Sequence, residues 1–386
     1  MEQTPTDFVR YLYDRIDWNQ RLIAITGARG TGKTTLLLQR ILLSGLPEDE
    51  TLYASLDHVY FARHGVLETA EKFVAEGGMY LFLDEVHKYP GWSREIKNVY
   101  DLFPELQIVL SGSSALHIQK GKADLSRRML EWRLQGLSFR EFLRLKYDLR
   151  LPVFSLDEII TDPLAAARQI LSKIKPLKYL REYWHTGYYP FFTEGTGYYD
   201  EKLMQAVNEI LETDLPAVTG MKYTAVVKLK KLLSVIADSV PYMPALTKLA
   251  KDLEVDRETV LKYLYHLEKA GLLMLLHREK KGMAALRKPE KVYLENPNLL
   301  YALSEHGPET GTMRETFFLN QIKQNHHATQ TDKGDFLVDG RYLFQIGGKN
   351  KPPKQIKGKE NAFLVLDDLE LPYGNRLPLW LFGFLY

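Results

Sequence analysis

The sequence predicts an α/β protein, its first 145 residues or so forming a mostly parallel sheet covered by helices on both faces. Three observations predict it. Short apolar runs alternate with helix-length stretches throughout this region. The run Leu22–Thr26 passes directly into a Gly-rich turn and then into an apolar stretch of helical length, 34–43. A later run, 80–83, ends in two adjacent carboxylates, Asp84 and Glu85.

In chain order, 22–26, 52–56, 80–83 and 108–110 read as short buried strands. Between the last two, 92–103 places Trp92, Ile96, Val99, Tyr100 and Phe103 at helical spacing. From about 151 to 240 the pattern turns helical, with apolar residues three or four apart over 164–174, 177–184 and 203–211 and a Gly- and Tyr-rich break at 185–199. After Pro244, two short helices are expected over 246–253 and 259–270. Apolar runs at 272–277 and 291–294 then pair across a basic turn. Helix, turn, helix and two-stranded wing describe a winged helix-turn-helix. From Met313 the chain reads helix, strand, strand, strand, a small α+β domain. The expected domains are therefore 1–145, 146–240, 241–312 and 313–386.

The turn after the first strand carries the chemistry. Gly27, Ala28, Arg29, Gly30, Thr31, Gly32, Lys33 and Thr34 fit G-x4-G-K-[ST] in full, between a strand and a helix as that motif requires. Glycines let successive backbone N–H groups curve around phosphates, and Lys33 brings a charge to the β and γ oxygens. The Thr34 hydroxyl suits Mg²⁺, and Thr35 completes the nucleotide-binding set. Asp84 is expected in the Mg²⁺ shell, with Glu85 orienting and deprotonating the attacking water. At the exit of the next run, within 111–114, a hydroxyl is expected to sense the γ-phosphate, and Ser113 is the candidate. Arg127 and Arg128 follow; either is a candidate arginine finger, with Arg128 preferred, and a solvated surface pair is the plain alternative. Arg29 reaches either phosphate or solvent. No Asn-Lys-x-Asp guanine-reading motif occurs, so ATP is the expected nucleotide and hydrolysis the expected reaction.

Composition narrows the class further. At 386 residues, with 45% apolar and 26% charged, the chain is globular and exceeds what one core usually supports. With no cysteine, disulfides and thiolate metal sites are excluded, and a reducing, cytoplasmic setting is expected. No apolar stretch approaches the roughly 18 residues a membrane span needs. A net charge of +2 gives no global case for nucleic acid, which leaves only local patches. The histidines show no recognised ligand spacing.

These residues resemble a known family: prokaryotic AAA-type ATPases in which a P-loop domain precedes a winged helix and a C-terminal domain of unassigned function. The resemblance rests on 27–34, on Leu83, Asp84, Glu85, Val86 and His87, on 108–114, and on Leu137, Ser138, Phe139, Arg140, Glu141 and Phe142. It implies an ATPase that changes conformation with nucleotide, and it names no pathway. In that family an Arg following Gly precedes the last motif. Arg127 stands where the Gly would be, which makes Arg128 the better match.

The family's C-terminal domain resembles the PD-(D/E)xK nuclease fold, in which Asp and Glu hold Mg²⁺ and Lys polarises the phosphate. Here Asp335 supplies the Asp, but neutral Gln345 stands where Glu belongs, and two glycines displace Lys349. An active nuclease is not expected, and Glu315 in the preceding helix compensates only in part. DNA contact remains open. Arg257, Lys262, His266 and Lys269 face outward on the expected recognition helix, Lys280, Lys281, Arg287 and Lys288 lie in the wing, and Lys349, Lys351, Lys354, Lys357 and Lys359 form a basic strip. Glu258 and Glu268 dilute the charge.

Three readings follow: an ATP-hydrolysing switch coupled to its winged helix and C-terminal domain, with DNA and a homo-oligomer as open partners; an ATP-holding sensor with little turnover; and an ATP-gated DNA-cleaving effector. Glu85 favours the first over the second, and Gln345 weighs against the third.

Overall fold

The computed structural model describes residues 4–112, 125, 127–278, 288–305, 307–352 and 356–386. The chain divides into two compact units, Met1–Gly136 and Leu137–Tyr386.

In the first unit, β1 (Leu22–Thr26), β2 (Thr51–Ser55), β3 (Tyr80–Asp84), β4 (Gln107–Gly112) and β5 (Leu130–Arg133) form one sheet in the order β2-β3-β4-β1-β5. Every pairing is parallel. The connections carry α1 (Lys33–Leu43), α2 (Val66–Ala75) and α3 (Trp92–Leu102). All five residues of β1 are buried, as expected of a central strand covered on both sides. Its alternate residues Leu22 and Ala24 join Leu81, Leu83, Ile108 and Leu110 in a core closed by Val66, Ala70, Trp92, Ile96 and Val99. Ile96 and Val99 lie three apart on α3 and are fully buried. Each contributes about 1.5–3 kcal/mol through burial, so Ile96→Ala costs about 2–5 kcal/mol.

Because the sheet is parallel, the loop after β1 and the carboxylates after β3 leave it at the same edge. Here β1 sits between β4 and β5, and ligands of open α/β sheets bind outside the carboxyl ends of such strands. β5 was not anticipated from the sequence. Its four residues, Leu-Glu-Trp-Arg, are exposed or half-buried, and an edge strand this short carries no apolar run to read.

The second unit begins with α4 (Phe139–Tyr147). Ser138 caps it in a reciprocal box: its Oγ accepts from the Glu141 N–H at 3.1 Å, and Glu141 Oε2 accepts from the Ser138 N–H at 3.2 Å. The Ser138 hydroxyl also donates to the Tyr386 carbonyl at 2.7 Å, joined by Arg140 Nε at 3.0 Å. The motif over 137–142 thus anchors residue 386 of this unit. Helices α5 (Leu156–Thr161), α6 (Pro163–Leu171), α7 (Pro176–Thr186), α8 (Tyr199–Glu209), α9 (Leu215–Thr219) and α10 (Tyr223–Ala237) follow.

Then come α11 (Leu246–Asp252) and α12 (Arg257–Lys269), the latter capped by Asp256, which accepts from the Thr259 N–H at 2.7 Å. β6 (Leu273–Leu276) pairs antiparallel with β7 (Lys291–Leu294), and Tyr242 bridges Val292. After α13 (Pro297–Leu303), α14 (Thr310–Ile322) leads into a second five-stranded sheet. Its strands are β8 (Ala328–Thr329), β9 (Phe336–Val338), β10 (Tyr342–Gly347), β11 (Ala362–Leu366) and β12 (Arg376–Pro378), in reverse chain order. β8, β9 and β10 pair antiparallel, and β10, β11 and β12 parallel. This is five strands where the sequence suggested three; the two- and three-residue members are too short to show a period.

Candidate active site

The loop over 27–34 wraps the start of α1. Gly32, at φ 92, is the residue before the helix, and no side chain caps that helix start, so its first-turn amides are open to an anion. A Cβ on Gly27 would fall on the Leu134 carbonyl oxygen, far inside contact distance, so β5's exit fixes glycine at the first motif position. Within the loop, the Thr31 hydroxyl donates to the Ala28 carbonyl at 2.9 Å. Lys33 is buried and donates to the carbonyls of Ala28 at 2.9 Å and Gly27 at 3.2 Å. Its ammonium therefore lies across the cradle.

Asp84, buried at the end of β3, gathers hydrogen-bond donors. Thr34 Oγ1 donates to its Oδ2 at 2.6 Å and Tyr53 Oη donates to the same oxygen at 2.9 Å. On the other oxygen, the Glu85 N–H donates to Oδ1 at 3.0 Å, and the Ser111 hydroxyl donates there too. These donors hold the carboxylate in one orientation at the strand end. The Asp84 charge and burial in turn push the Tyr53 hydroxyl well above the usual tyrosine range, burial being the larger cause.

Glu85 follows in the left-handed region at φ 53, which swings its side chain out of the strand's alternation. The side chain is 20% exposed, its Oε2 lying 3.4 Å from His87 Nε2 and 4.0 Å from Lys88 Nζ. Burial raises its pKa above the ordinary glutamate value. The nearby Lys33 charge opposes this most, Asp84 adds to it, and Lys88 and Arg29 oppose it more weakly. A buried carboxyl facing the loop in this way suits a general base.

The structure thus brings Gly27, Ala28, Gly30, Thr31, Gly32, Lys33, Thr34, Asp84 and Glu85 to one edge of the sheet. Thr35 is half-buried on α1, and Arg29 is close enough to act on Glu85 electrostatically. Ser113 lies outside the described residues, and Ser111 is the hydroxyl of that segment that meets Asp84. Arg128 is placed elsewhere. It precedes β5, whose start pairs with Ile23 of β1, and its Nε and Nη2 reach Asp101 at 3.0 and 3.3 Å on the last turn of α3. That is the amino edge of the sheet, a strand length of roughly 16 Å from the loop. As a finger on its own chain's nucleotide, Arg128 is ruled out by this topology. Arg127 beside it is exposed, at φ 70.

Two participants escaped the sequence reading, Tyr53 and Arg10, and Ser111, inside the segment read for a sensor hydroxyl, was not expected to donate to Asp84. Arg10, only 5% exposed, donates to the Thr31 carbonyl at 2.6 Å and to those of Gln135 and Gly136 at 2.7 and 2.9 Å. Tyr53 had a weak signal, as a polar-tipped residue near the end of a strand adjoining the carboxylate strand. Arg10, in the segment before β1, had none.

In the second unit, Asp335 Oδ2 accepts from the Ile346 N–H at 2.7 Å and from Lys351 Nζ at 3.3 Å. Lys351, not Lys349, is therefore the lysine beside this carboxylate. Glu315 lies near enough that the Asp335 charge raises its pKa after burial, with Lys291 opposing, and Tyr293 donates to it at 2.7 Å. Gln345 is buried. On α12, Arg257, Lys262 and Lys269 are exposed, but Lys262 pairs with Glu258 at 2.9 Å, and burial, with the Lys262 charge, lowers the pKa of His266. Lys288, Lys349, Lys357 and Lys359 are exposed, while Lys280, Lys281, Arg287 and Lys354 lie outside the described residues.

Residues 19–143 match the family model described as an AAA domain, and residues 177–310 match one described as a domain of unknown function. The chain is similar to uncharacterized protein MJ1637 of Methanocaldococcus jannaschii, with 26% identity over 71% of this chain and 60% of that protein, so the match spans less than two thirds of the relative. Among solved structures, the Walker-type ATPase PABY2304 of Pyrococcus abyssi aligns at 12% identity over 74% of this chain and 91% of that one, with a TM-score of 0.40. AMPPCP-bound DnaA from Aquifex aeolicus aligns at 17% identity over 66% and 84%, with a TM-score of 0.27. On the loop geometry and the match over 19–143, the first unit carries a P-loop nucleotide site similar to that of AAA domains, built to bind and hydrolyse ATP.

Proposed function

We propose that the chain is an ATP-driven switch in which the state of the loop at 27–34 is passed to residues 137–386. The observation that carries this is the carboxylate pair: Asp84 accepts from Thr34, Tyr53 and Ser111, while burial raises the Glu85 pKa above the ordinary glutamate value. The two environments push neighbouring carboxylates into different roles.

The Thr34 hydroxyl and Asp84, hydrogen-bonded to each other at 2.6 Å, are the residues that would hold a Mg²⁺ ion arriving with nucleotide. Among the described residues no group of three or more His, Asp or Glu is placed to hold a metal, and phosphate oxygens of the nucleotide would supply further ligands. When bound, the ion supplies charge neutralisation on those oxygens. Lys33 and the first-turn amides of α1 hold the β and γ phosphates, and Glu85 orients a water and takes its proton. As part of the same reading, Arg128 serves a neighbouring copy's nucleotide in a homo-oligomer, in the cytoplasm. α11, α12 and the β6–β7 pair act as a winged helix that contacts DNA through Arg257, Lys262 and Lys269. The small C-terminal sheet stands as a nuclease-like domain without cleavage activity.

The test is ATP binding and turnover of wild type, Lys33→Ala and Glu85→Gln, with and without duplex or single-stranded DNA. Lys33→Ala is expected to lose ATP. Glu85→Gln is expected to keep it and lose turnover by about 10²–10⁴-fold. Wild-type turnover in Glu85→Gln removes Glu85 as base, and rates and affinities indifferent to DNA remove the DNA arm. The ATP-holding sensor is the second reading, favoured only if wild type binds ATP and turns over no faster than Glu85→Gln.

A further inference from the structure

Arg10 lies in the segment before β1, well away in sequence from any nucleotide motif, yet its side chain is buried and aimed at backbone. One terminal nitrogen donates to the Thr31 carbonyl at 2.6 Å, inside the phosphate loop. The other donates to the carbonyls of Gln135 and Gly136, at 2.7 and 2.9 Å, on the chain leaving β5. Burying a guanidinium is costly unless its donors are engaged, so a side chain 5% exposed with this fork is strongly constrained in place.

What it holds matters more than that it is held. A trans peptide sets C=O and N–H on opposite sides. Fixing the Thr31 carbonyl toward Arg10 therefore turns the Gly32 N–H away from it, and that amide directly precedes the uncapped first turn of α1, where an anion would sit. Gly32 at φ 92 does not set this orientation by itself, because glycine is the residue least restricted in its dihedrals.

The second half of the fork reaches 135–136. That stretch is already fastened to the loop's first residues, since the Leu134 N–H donates to the Thr26 carbonyl at 2.7 Å and Gly27 has no room for a side chain against Leu134. The strand exit at 134–136 thus underlies the loop at two points: its start, through Leu134, and its middle, through Arg10.

We propose that Arg10 is a positioning residue for nucleotide: it presets the Thr31–Gly32 peptide for the phosphates and ties that setting to the strap at 134–136. The inference rests on the nucleotide reading of the loop. Phosphates drawn into the cradle load the Thr31–Gly32 peptide, and Arg10 hands that load to the last residues before Leu137. The coupling is reciprocal, so displacement of 134–136 changes affinity at the loop by the same factor.

The experiment measures binding of a fluorescent ATP analogue, and of ADP by competition, without Mg²⁺, for wild type, Arg10→Ala and Arg10→Lys. Amide hydrogen exchange over 27–36 and 130–138 is followed with and without ATP. Arg10→Ala is expected to weaken ATP and ADP alike by about tenfold or more. Arg10→Lys, which keeps the charge and loses the fork, is expected to fall between. At saturating ATP, kcat is expected to stay within about threefold in either variant, so the loss appears in KM. In wild type ATP slows exchange at both segments, and in Arg10→Lys at saturating ATP it slows only 27–36. Wild-type affinity in both variants, or undiminished ATP-dependent slowing at 130–138 in Arg10→Lys, overturns the proposal. If Arg10→Ala fails to fold, Arg10→Lys decides alone. Absence of ATP binding in the wild type counts against the nucleotide reading, not against Arg10.

Discussion

Tyr53 donates its phenolic hydrogen to Asp84 Oδ2 at 2.9 Å, the same oxygen that accepts from Thr34 at 2.6 Å. One carboxylate oxygen is therefore shared between the residue assigned to the metal and a tyrosine on the neighbouring strand. Removing the tyrosine hydroxyl leaves Asp84 with Thr34 and Ser111 as side-chain donors and frees its carboxylate to rotate. Tyr53→Phe is expected to leave Mg²⁺-free ATP binding unchanged. It should raise the Mg²⁺ concentration for half-maximal turnover by about tenfold or more, in line with a hydrogen bond of about 1.5–3 kcal/mol to a charged group. Ser111→Ala, whose hydroxyl is fully buried, should act in the same direction and more strongly. Mg²⁺ titrations of ATPase rate and of analogue binding decide it, and coincident curves for wild type and both variants show that these donors do not position Asp84.

The raised pKa of Glu85 has a kinetic sign. The base works ionised, and burial holds its pKa above the ordinary glutamate value. Turnover should therefore fall with decreasing pH along a limb displaced upward from that value, and reach its plateau above it. Lys88, 4.0 Å from Glu85 Oε2, opposes the rise. Lys88→Ala should move the limb to still higher pH while leaving the plateau rate within about twofold, the loss of a half-exposed charge being a modest perturbation. A limb shifted downward or not at all contradicts the assigned electrostatics.

Arg128 sits at the amino edge of the sheet, paired with Asp101. Arg128→Ala should cost little stability, about 0–1 kcal/mol for a surface pair. Its effect on turnover should appear only where copies meet. Specific activity of the wild type is expected to rise with protein concentration, and a mixture of Arg128→Ala with Lys33→Ala should regain part of the turnover each lacks. A monomer of constant specific activity, in sedimentation and in rate, removes the trans role.

For the C-terminal sheet, binding without cutting is the expectation. Gln345 carries no charge, and Asp335 is already engaged by the Ile346 N–H and Lys351. Plasmid incubated with Mg²⁺ or Mn²⁺ and ATP should remain intact, and any retention of DNA should weaken steeply with salt. Nicking lost in Asp335→Ala would show an active site there. Glu315 adds a folding test. Its pKa is raised by burial and by Asp335, so its ionised form costs the folded state at pH above that pKa. Glu315→Gln should therefore gain thermal stability relative to wild type as pH rises from the carboxylate range to neutrality, and show no such gain in acid.

The loop and the carboxylate pair were legible because each is written within a few consecutive residues. A buried strand, a Gly-rich turn and an apolar helix make 22–43 readable on local grounds, and an apolar run closed by Asp84 and Glu85 does the same for β3. The contacts of Tyr53, Ser111 and Arg10 were not legible in this way. Tyr53 meets Asp84 only through the β2–β3 register, Ser111 only because β4 lies beside β3, and Arg10 only because residues 31 and 135 converge beside it. Such meetings are set by strand order, and no local pattern records them. The same reason hid the placement of Arg128. Its motif position was readable, but β5 is a short edge strand whose parallel pairing with β1 decides which end of the sheet the arginine occupies.

The left-handed backbone at Glu85 carries an evolutionary implication. A residue with a Cβ at φ 53 stores about 1–2 kcal/mol that glycine would not, and asparagine tolerates this region better than glutamate does. The fold alone would thus be better served by Gly or Asn at position 85, whereas water activation requires a carboxylate. A screen that selects only for expression or heat resistance should drift toward Glu85→Gly or Glu85→Asn and deliver a sturdier protein that no longer turns over ATP.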